Sequence, residues 1–165
     1  LRYFNPIGAH HSGNIGEHQI GNPNNLFPLI LQVASRKLKE LKIYGNNWNT
    51  RDGTCIRDYV HIVDLANAHL AAFEYLSRSH SQFTNLNIGT GKGTSVLELI
   101  NTFKKVNKID LPFSFTSRRD GDQEYVVADN RKALNILNWK PIKNIEDMCR
   151  DGWKWQIKNP DGYVE

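Results

Sequence analysis

The chain has 165 residues, enough for one sizeable core, and its 39% hydrophobic and 23% charged content excludes a disordered or fibrous polypeptide. Its 21 basic and 17 acidic side chains give a formal charge of +4 with no Lys/Arg block, which speaks against a nucleic-acid partner and leaves a mild pull on an anionic small ligand. No apolar run approaches the ~20 residues that span a bilayer, and Cys55 and Cys149 stand alone without CxxC spacing, as suits a reducing, cytoplasmic setting.

Leu1 to Asn5 reads as the end of a strand, broken by Pro6 and Gly8. His10 to Asn24 is a polar loop rich in Gly and Asn. Asn24 or Asn25 is expected to cap a helix with Pro28 in its first turn, where a missing N–H costs nothing. Leu26, Leu29, Ile30 and Val33 then recur at helical spacing. Leu41 to Tyr44 is a strand ending at Gly45, and Asn46 to Thr54 a loop. Arg57 to Val63 reads as extended, and Asp64 as the cap of a helix whose inward face is Leu65, Ala68, Ala72, Phe73 and Leu76. Phe83 to Ile88 is a strand leading into a Gly-rich loop. Thr94 is expected to cap a helix with Val96, Leu99, Ile100 and Phe103 inward. Phe113 to Thr116 and Tyr125 to Ala128 are extended, Asn130 to Leu137 is helical, and Ile145 to Ile157 is a last amphipathic helix. Short strands alternating with helices predict an α/β fold.

Several segments carry groups suited to binding. Tyr3-Phe4-Asn5 puts an amide at a strand end, able to donate and accept at once. Asn22-Pro23-Asn24-Asn25-Leu26 leads into a helix N-terminus, where backbone N–H groups favour an anion. Arg57-Asp58-Tyr59 offers a guanidinium that forks onto phosphate oxygens. Arg118-Arg119-Asp120-Gly121-Asp122 repeats that logic, with carboxylates suited to ribose hydroxyls. Taken alone, each also has a plainer reading as a turn, a helix cap or a surface ion pair. Gly89-Thr90-Gly91-Lys92-Gly93-Thr94 follows a strand and opens a helix as a dinucleotide loop does, but Thr94 stands where the third Gly of G-x-G-x-x-G belongs. A tight structural turn is the better reading. His10, His11, Glu17 and His18 match no zinc spacing, so no metal is expected.

In this order the segments are specific. Arg2-Tyr3-Phe4-Asn5-Pro6, Pro23-Asn24-Asn25-Leu26, Asp52-Gly53-Thr54, Arg57-Asp58-Tyr59-Val60-His61 and Arg118-Arg119-Asp120-Gly121-Asp122 together make the whole chain resemble the UDP-sugar 4-epimerases of the extended short-chain dehydrogenases. Sugar-nucleotide decarboxylases and dehydratases of the same superfamily share the opening segment. They usually lack the Asp52-Gly53-Thr54 loop and the Pro23-Asn24-Asn25-Leu26 run. A non-catalytic UDP-sugar-binding module is the third reading.

The resemblance implies that residues 1–165 are the C-terminal part of an NAD-binding Rossmann-fold enzyme, mainly its smaller α/β substrate-binding domain. It implies a cytoplasmic, homodimeric parent of galactose metabolism that interconverts UDP-galactose and UDP-glucose. In that family a tyrosine of Y-x-x-x-K takes the proton of the sugar 4-hydroxyl while hydride passes from C4 to NAD. The chain has no Y-x-x-x-K and no N-terminal Gly-rich cofactor loop, so the resemblance assigns it no catalytic residue. It implies that Tyr3 meets both NAD and substrate, and that Phe4 and Asn5 line the sugar-diphosphate cleft. Asn24, Asn25 and Leu26 fall to the diphosphate and hexose, and Lys42, Ile43 and Tyr44 to the uracil. Arg57 falls to the diphosphate, and Arg119, Asp120, Gly121 and Asp122 to phosphate and ribose. Val126 falls to the pocket of the sugar 2-substituent. Its small size implies that N-acetylhexosamine sugars also fit.

Overall fold

The computed structural model describes residues 1–18, 21, 23–78 and 83–163. Strands β1 (Arg2–Tyr3) and β2 (Asn5–Ile7) form one extended run that changes partner at Phe4. β1 lies parallel to β6 (Asn87–Ile88), and β2 lies parallel to β5 (Tyr59–His61) with Asn5 opposite Tyr59. The Phe4 amide donates to the Ile88 carbonyl and the next amide, of Asn5, to the Asp58 carbonyl. Pro6 therefore does not break the strand as its type suggests. The same alternation turns its nitrogen away from β5, so the ladder loses no bond.

Strand β3 (Leu41–Tyr44) pairs in parallel with β8 (Phe113–Thr116) over its full length, from Leu41 opposite Phe113 to Tyr44 opposite Thr116. Strand β4 (Ile56–Arg57) lies between antiparallel β7 (Thr94–Ser95) and parallel β9 (Tyr125–Val126), with Arg57 opposite Val126. Parallel neighbours need crossovers. Helices α1 (Leu26–Ala34), α2 (Ile62–Arg78), α3 (Val96–Asn107), α4 (Arg131–Leu137) and α5 (Ile145–Lys158) stand among the strands in chain order.

Two apolar clusters hold these elements. The larger joins Phe27, Ile30 and Val33 of α1, Leu41 and Ile43 of β3, Leu99, Ile100 and Phe103 of α3, and Met148 and Cys149 of α5. Phe103 sits edge-on to both Phe27 and Trp153. The smaller joins Leu65 and Ala68 of α2, Ile88 of β6, Ala133 and Leu137 of α4, and Trp139. Each fully buried large side chain contributes about 1.5–3 kcal/mol. These clusters, rather than the two-residue strands, carry the stability.

Local capping departs from the sequence reading in two places. Helix α3 is capped by Ser95, not Thr94, in a reciprocal box with Glu98. Helix α2 begins at Ile62, because the His61 ring nitrogen Nδ1 accepts the Val63 amide at 3.0 Å and fills the capping role given to Asp64. Asp64, buried in the first turn, instead accepts the amides of Ile142 and Lys143. The inward face of α2 is also narrower than expected. Phe73 is 70% and Leu76 57% exposed, alongside exposed Ile62 and Leu70. Phe73 lies about 80° round the helix from Leu65, at the flank of the buried arc.

Helix α5 also ties down the loop at residues 10–18. Lys154 donates to the His11 carbonyl, Lys158 to that of Ser12, Asn159 to that of Gly13, and the Trp155 indole to that of Glu17. The Tyr163 hydroxyl meets both the amide and the carbonyl of Gly16. Gly16 lies so close to Trp155 that a Cβ there would stand 2.3 Å from its ring. Asn22, part of the segment leading to α1, lies outside the described residues.

Candidate functional site

The parallel pairing of β3 and β8 decides where the site forms. Both strands run out at the same edge, so the turn after Tyr44 and the loop after Thr116 emerge side by side. The Gly45 amide joins them by donating to the Thr116 carbonyl at 2.9 Å. Gly45 adopts φ +82°, and a Cβ there would stand 2.4 Å from the Trp48 indole.

The two neighbouring arginines then diverge. The Arg118 guanidinium lies 4.0 Å over the Trp48 ring and donates to the side chain and carbonyl of Asn47. The Arg119 guanidinium lies 4.6 Å over the Tyr44 ring. Asp122 folds back so that one oxygen is 3.5 Å from Arg119 Nε and the other 3.5 Å from an Arg57 nitrogen. Arg57 also donates to the carbonyls of Gln123, at 2.7 Å, and Ile56. Two guanidiniums thus share one carboxylate through long contacts. Net positive charge and unused donor directions remain, the electrostatics of an anion site. Gly121 turns the loop at φ +82° with nothing within 4 Å of a built Cβ, and Asp120 beside it is exposed.

A row of backbone bonds extends the site. The Asn5 amide donates to the Asp58 carbonyl, and the Asp58 amide donates to the Val126 carbonyl. Asn5, Arg57 and Val126 therefore stand on neighbouring segments. The structure brings Asn5, Tyr44, Arg57, Arg119, Asp122 and Val126 into one connected group.

The other sequence-predicted residues sit differently. Lys42 is engaged by Glu40 and by the Ser114 hydroxyl on β8, and Ile43 is buried in the larger cluster. Asn25 occupies the N-cap of α1 without a side-chain capping bond. Among the described residues, no hydrogen bond or ion pair joins Asn24, Asn25 or Leu26 to the arginine group. Tyr3, half exposed on β1, has its hydroxyl 2.7 Å from His69 Nε2. His69 Nδ1 lies 2.9 Å from the Leu65 carbonyl, which places the ring proton there and makes the phenol the donor to Nε2. Phe4 is half buried between the two strands.

Sequence reasoning gave Trp48, Asn47 and Asp58 no role. Asp58 is 0% exposed. One oxygen accepts the Thr90 amide (2.8 Å) and hydroxyl (2.6 Å); the other accepts the amides of Gly91 (2.9 Å) and Ala128 (3.1 Å). The Gly-rich loop is thus closed from within: its amides hold the chain's own carboxylate. Asp52 does similar work in the preceding loop, accepting the Thr54 amide and hydroxyl and the Ser95 hydroxyl.

A third polar group is buried behind the site. His61 Nε2 lies 3.2 Å from Asp151, and Lys143 lies 3.8 Å from the same carboxylate. Burial holds the His61 imidazole below its ordinary pKa, against the pull of Asp151 and Asp64. Among the described residues, no three His, Cys, Asp or Glu side chains are placed to hold a metal, and no helix is long and apolar enough to cross a membrane.

Comparison with known proteins gives this geometry a lineage. The GDP-mannose 4,6 dehydratase family model matches residues 1–152. A UDP-glucose 4-epimerase of Cyamopsis tetragonoloba is 51% identical over 164 residues, covering 99% of this chain and 46% of the relative. The crystal structure of a UDP-glucose 4-epimerase from Stenotrophomonas maltophila, with bound NAD and formylated UDP-arabinopyranose, superposes with a TM-score of 0.93 at 47% identity, covering 96% of this chain and 47% of that one. The enzyme from Bifidobacterium longum, in complex with NAD+ and UDP, gives 0.93 at 43% identity, covering 98% and 48%. The chain spans about half the length of these relatives. With nine-tenths of its length under the family model and its α/β fold matching the C-terminal part of solved epimerases, the chain belongs to the GDP-mannose 4,6 dehydratase family of extended short-chain dehydrogenases and is similar to their UDP-glucose 4-epimerases.

Proposed function

We propose that this chain is the UDP-sugar-binding part of an NAD-dependent UDP-glucose 4-epimerase that interconverts UDP-galactose and UDP-glucose. The observation that carries the reading is the Tyr44–Arg119–Asp122–Arg57 group, two guanidiniums and an aromatic face around one carboxylate. The guanidiniums suit a diphosphate, Tyr44 a uracil face, and Asp122 a ribose hydroxyl once the anion draws the arginines away. Asn5 and Val126 lie further along the same row, on the hexose side. Asn25, whose side chain caps nothing, adds an amide at the start of α1.

Among the described residues, none form a cradle for the NAD pyrophosphate. The strand-to-helix glycine loop at 89–93 has its amides on Asp58, and the Tyr3 hydroxyl is already directed to His69. The reading therefore assigns this chain the binding and orientation of the UDP-sugar, with cofactor and proton transfer handled elsewhere in the parent enzyme. The exposed stripe of Ile62, Leu70, Phe73 and Leu76 on α2 suits packing against that remainder. A homodimeric, cytoplasmic parent acting in galactose metabolism completes the proposal.

Titrating the chain with UDP in a calorimeter tests the reading. Binding is expected. With UDP-galactose and NAD present, no UDP-glucose should form above blank. Absence of UDP binding, or turnover at ordinary enzyme rates, overturns the assignment.

A further inference from the structure

We propose that Asp58 is the positioning residue of the UDP-sugar site: its buried carboxylate sets where Asn5, Arg57 and Val126 stand. The inference rests on the UDP-sugar reading above and deepens it.

Asp58 sits where three segments meet. Its carbonyl holds the Asn5 amide at 2.9 Å, and its amide holds the Val126 carbonyl at 3.1 Å. Its carboxylate reaches the Gly-rich loop through Thr90 and Gly91, and the segment after β9 through Ala128. The residue before it is Arg57, opposite Val126 in the β4–β9 pairing. The ties to Asn5, Val126 and Ala128 end on a residue of the candidate site or two positions from one, while those to Thr90 and Gly91 anchor Asp58 to the Gly-rich loop. The fit around the carboxylate is close. A Cβ on Gly89 would stand 2.6 Å from Asp58 Oδ2 and 2.7 Å from the Ala128 Cβ, and the Asn130 side chain holds the Gly89 carbonyl at 2.9 Å.

The four donors divide evenly between the two oxygens, which makes the site sensitive to Asp58→Asn. An amide has the same shape, and its oxygen can keep both Thr90 contacts. Its NH2 then faces the amides of Gly91 and Ala128, donor against donor. The loop stays anchored at Thr90 while the segment after β9 loses its Ala128 tie, two residues from Val126. Val126, opposite Arg57, and the Gln123 carbonyl that orients Arg57 then lose the support of that tie.

The test is calorimetric titration of the chain with UDP. It compares wild type, Asp58→Asn, Asp58→Ala, Thr90→Val and Arg57→Ala. Each is measured at a temperature where near-ultraviolet circular dichroism shows it folded, so a loss of folded population does not enter the affinity. Asp58→Asn is expected to weaken UDP binding about tenfold or more. Thr90→Val, which removes one donor and keeps the shape, is expected to weaken it several-fold less. Asp58→Ala should regain affinity when formate, a free carboxylate of the deleted group's chemistry, is added. Arg57→Ala should not respond to formate. If Asp58→Asn does not fold, the Thr90→Val affinity and the formate response of Asp58→Ala decide. Wild-type affinity in folded Asp58 and Thr90 variants, with Arg57→Ala weakened, overturns the positioning role and leaves the UDP-sugar reading standing. Failure of wild type to bind UDP, or wild-type affinity in Arg57→Ala, overturns the reading itself.

Discussion

The loop at residues 89–93 and the loop at residues 118–122 both carry groups suited to a phosphate, and they differ in whether those groups are already engaged. The first has the glycines, the preceding strand and the following helix of a phosphate cradle. Its amides at Thr90 and Gly91 nevertheless close on Asp58, an anion supplied by the chain. The second reads as an ordinary charged turn. Its Arg119 is half exposed, stacked on Tyr44 and held by Asp122 only at 3.5 Å. Binding capacity belongs to groups whose donors are still available. A motif names the groups; only the contacts tell whether a partner has already taken them.

Breaking the open loop should have the largest effect on ligand. Arg119→Ala is expected to weaken UDP binding by about 1.5–3 kcal/mol, the range of a hydrogen bond to a charged group. Arg118→Ala should lose less, because its guanidinium serves Trp48 and Asn47. Equal losses by calorimetry would dissolve the distinction between the two arginines. Breaking the closed loop should instead register in stability. Gly89→Ala forces a methyl against Asp58 and Ala128, an overpacking that costs about 1–3 kcal/mol in denaturant melts. Gly121→Ala meets open space and pays only for its left-handed backbone, about 1 kcal/mol. If Gly121→Ala were the more damaging of the pair, the contrast between the loops would be wrong.

The third test sharpens the open side. Val126 stands opposite Arg57 with Tyr125 beside it, the latter 59% exposed. On the proposed reading, a small residue there leaves room for a sugar N-acetyl group. The chain should therefore bind UDP-N-acetylglucosamine comparably to UDP-glucose. Val126→Tyr should penalise the N-acetyl sugar selectively, by up to about 1–3 kcal/mol. Indifference to the substitution would mean that the strand presents Tyr125 to the pocket instead.

The smallest and most gradual effect lies on the closed side. Burial holds the His61 pKa below its unfolded value of about 6.5, with Asp151, Lys143 and Asp64 facing it. The unfolded chain therefore takes up a proton first as pH falls. The neutral ring's contribution is complete above pH ~6.5 and is lost as pH drops toward the lowered folded value, at no more than about 1.4 kcal/mol per unit. Denaturant midpoints between pH 7.5 and 5 should show this slope. His61→Gln, an amide that does not titrate, should flatten it.

How much of this was legible in the sequence depended on reach. Leu41–Tyr44 and Phe113–Thr116 were readable because alternation is local, and their pairing gives the site its edge. Arg57, Arg119 and Asp122 were readable by type, and the family resemblance named their order. Asp58 was quoted in its motif without a role because its partners lie 32, 33 and 70 residues away. Asp64 was misread as a cap because nothing local shows that the His61 ring already takes that amide. Phe73 and Leu76 were placed inward because apolar type cannot tell a covered face from an uncovered one. Trp48 was missed because its partner, Arg118, comes 70 residues later.

The ties from α5 to the loop at residues 10–18 have a consequence in time. Their sequence separations are 143 for Lys154 to His11, 146 for Lys158 to Ser12 and 147 for Tyr163 to Gly16. During synthesis, the fasteners of the loop that follows β2 are made well after the loop itself. At usual translation rates it waits roughly 7–30 s for them. Throughout that interval its glycines and histidines have no fixed seat, and anything that halts the ribosome before Lys154 leaves them so. Helix α5 thus seats the loop only after its own last turn has emerged.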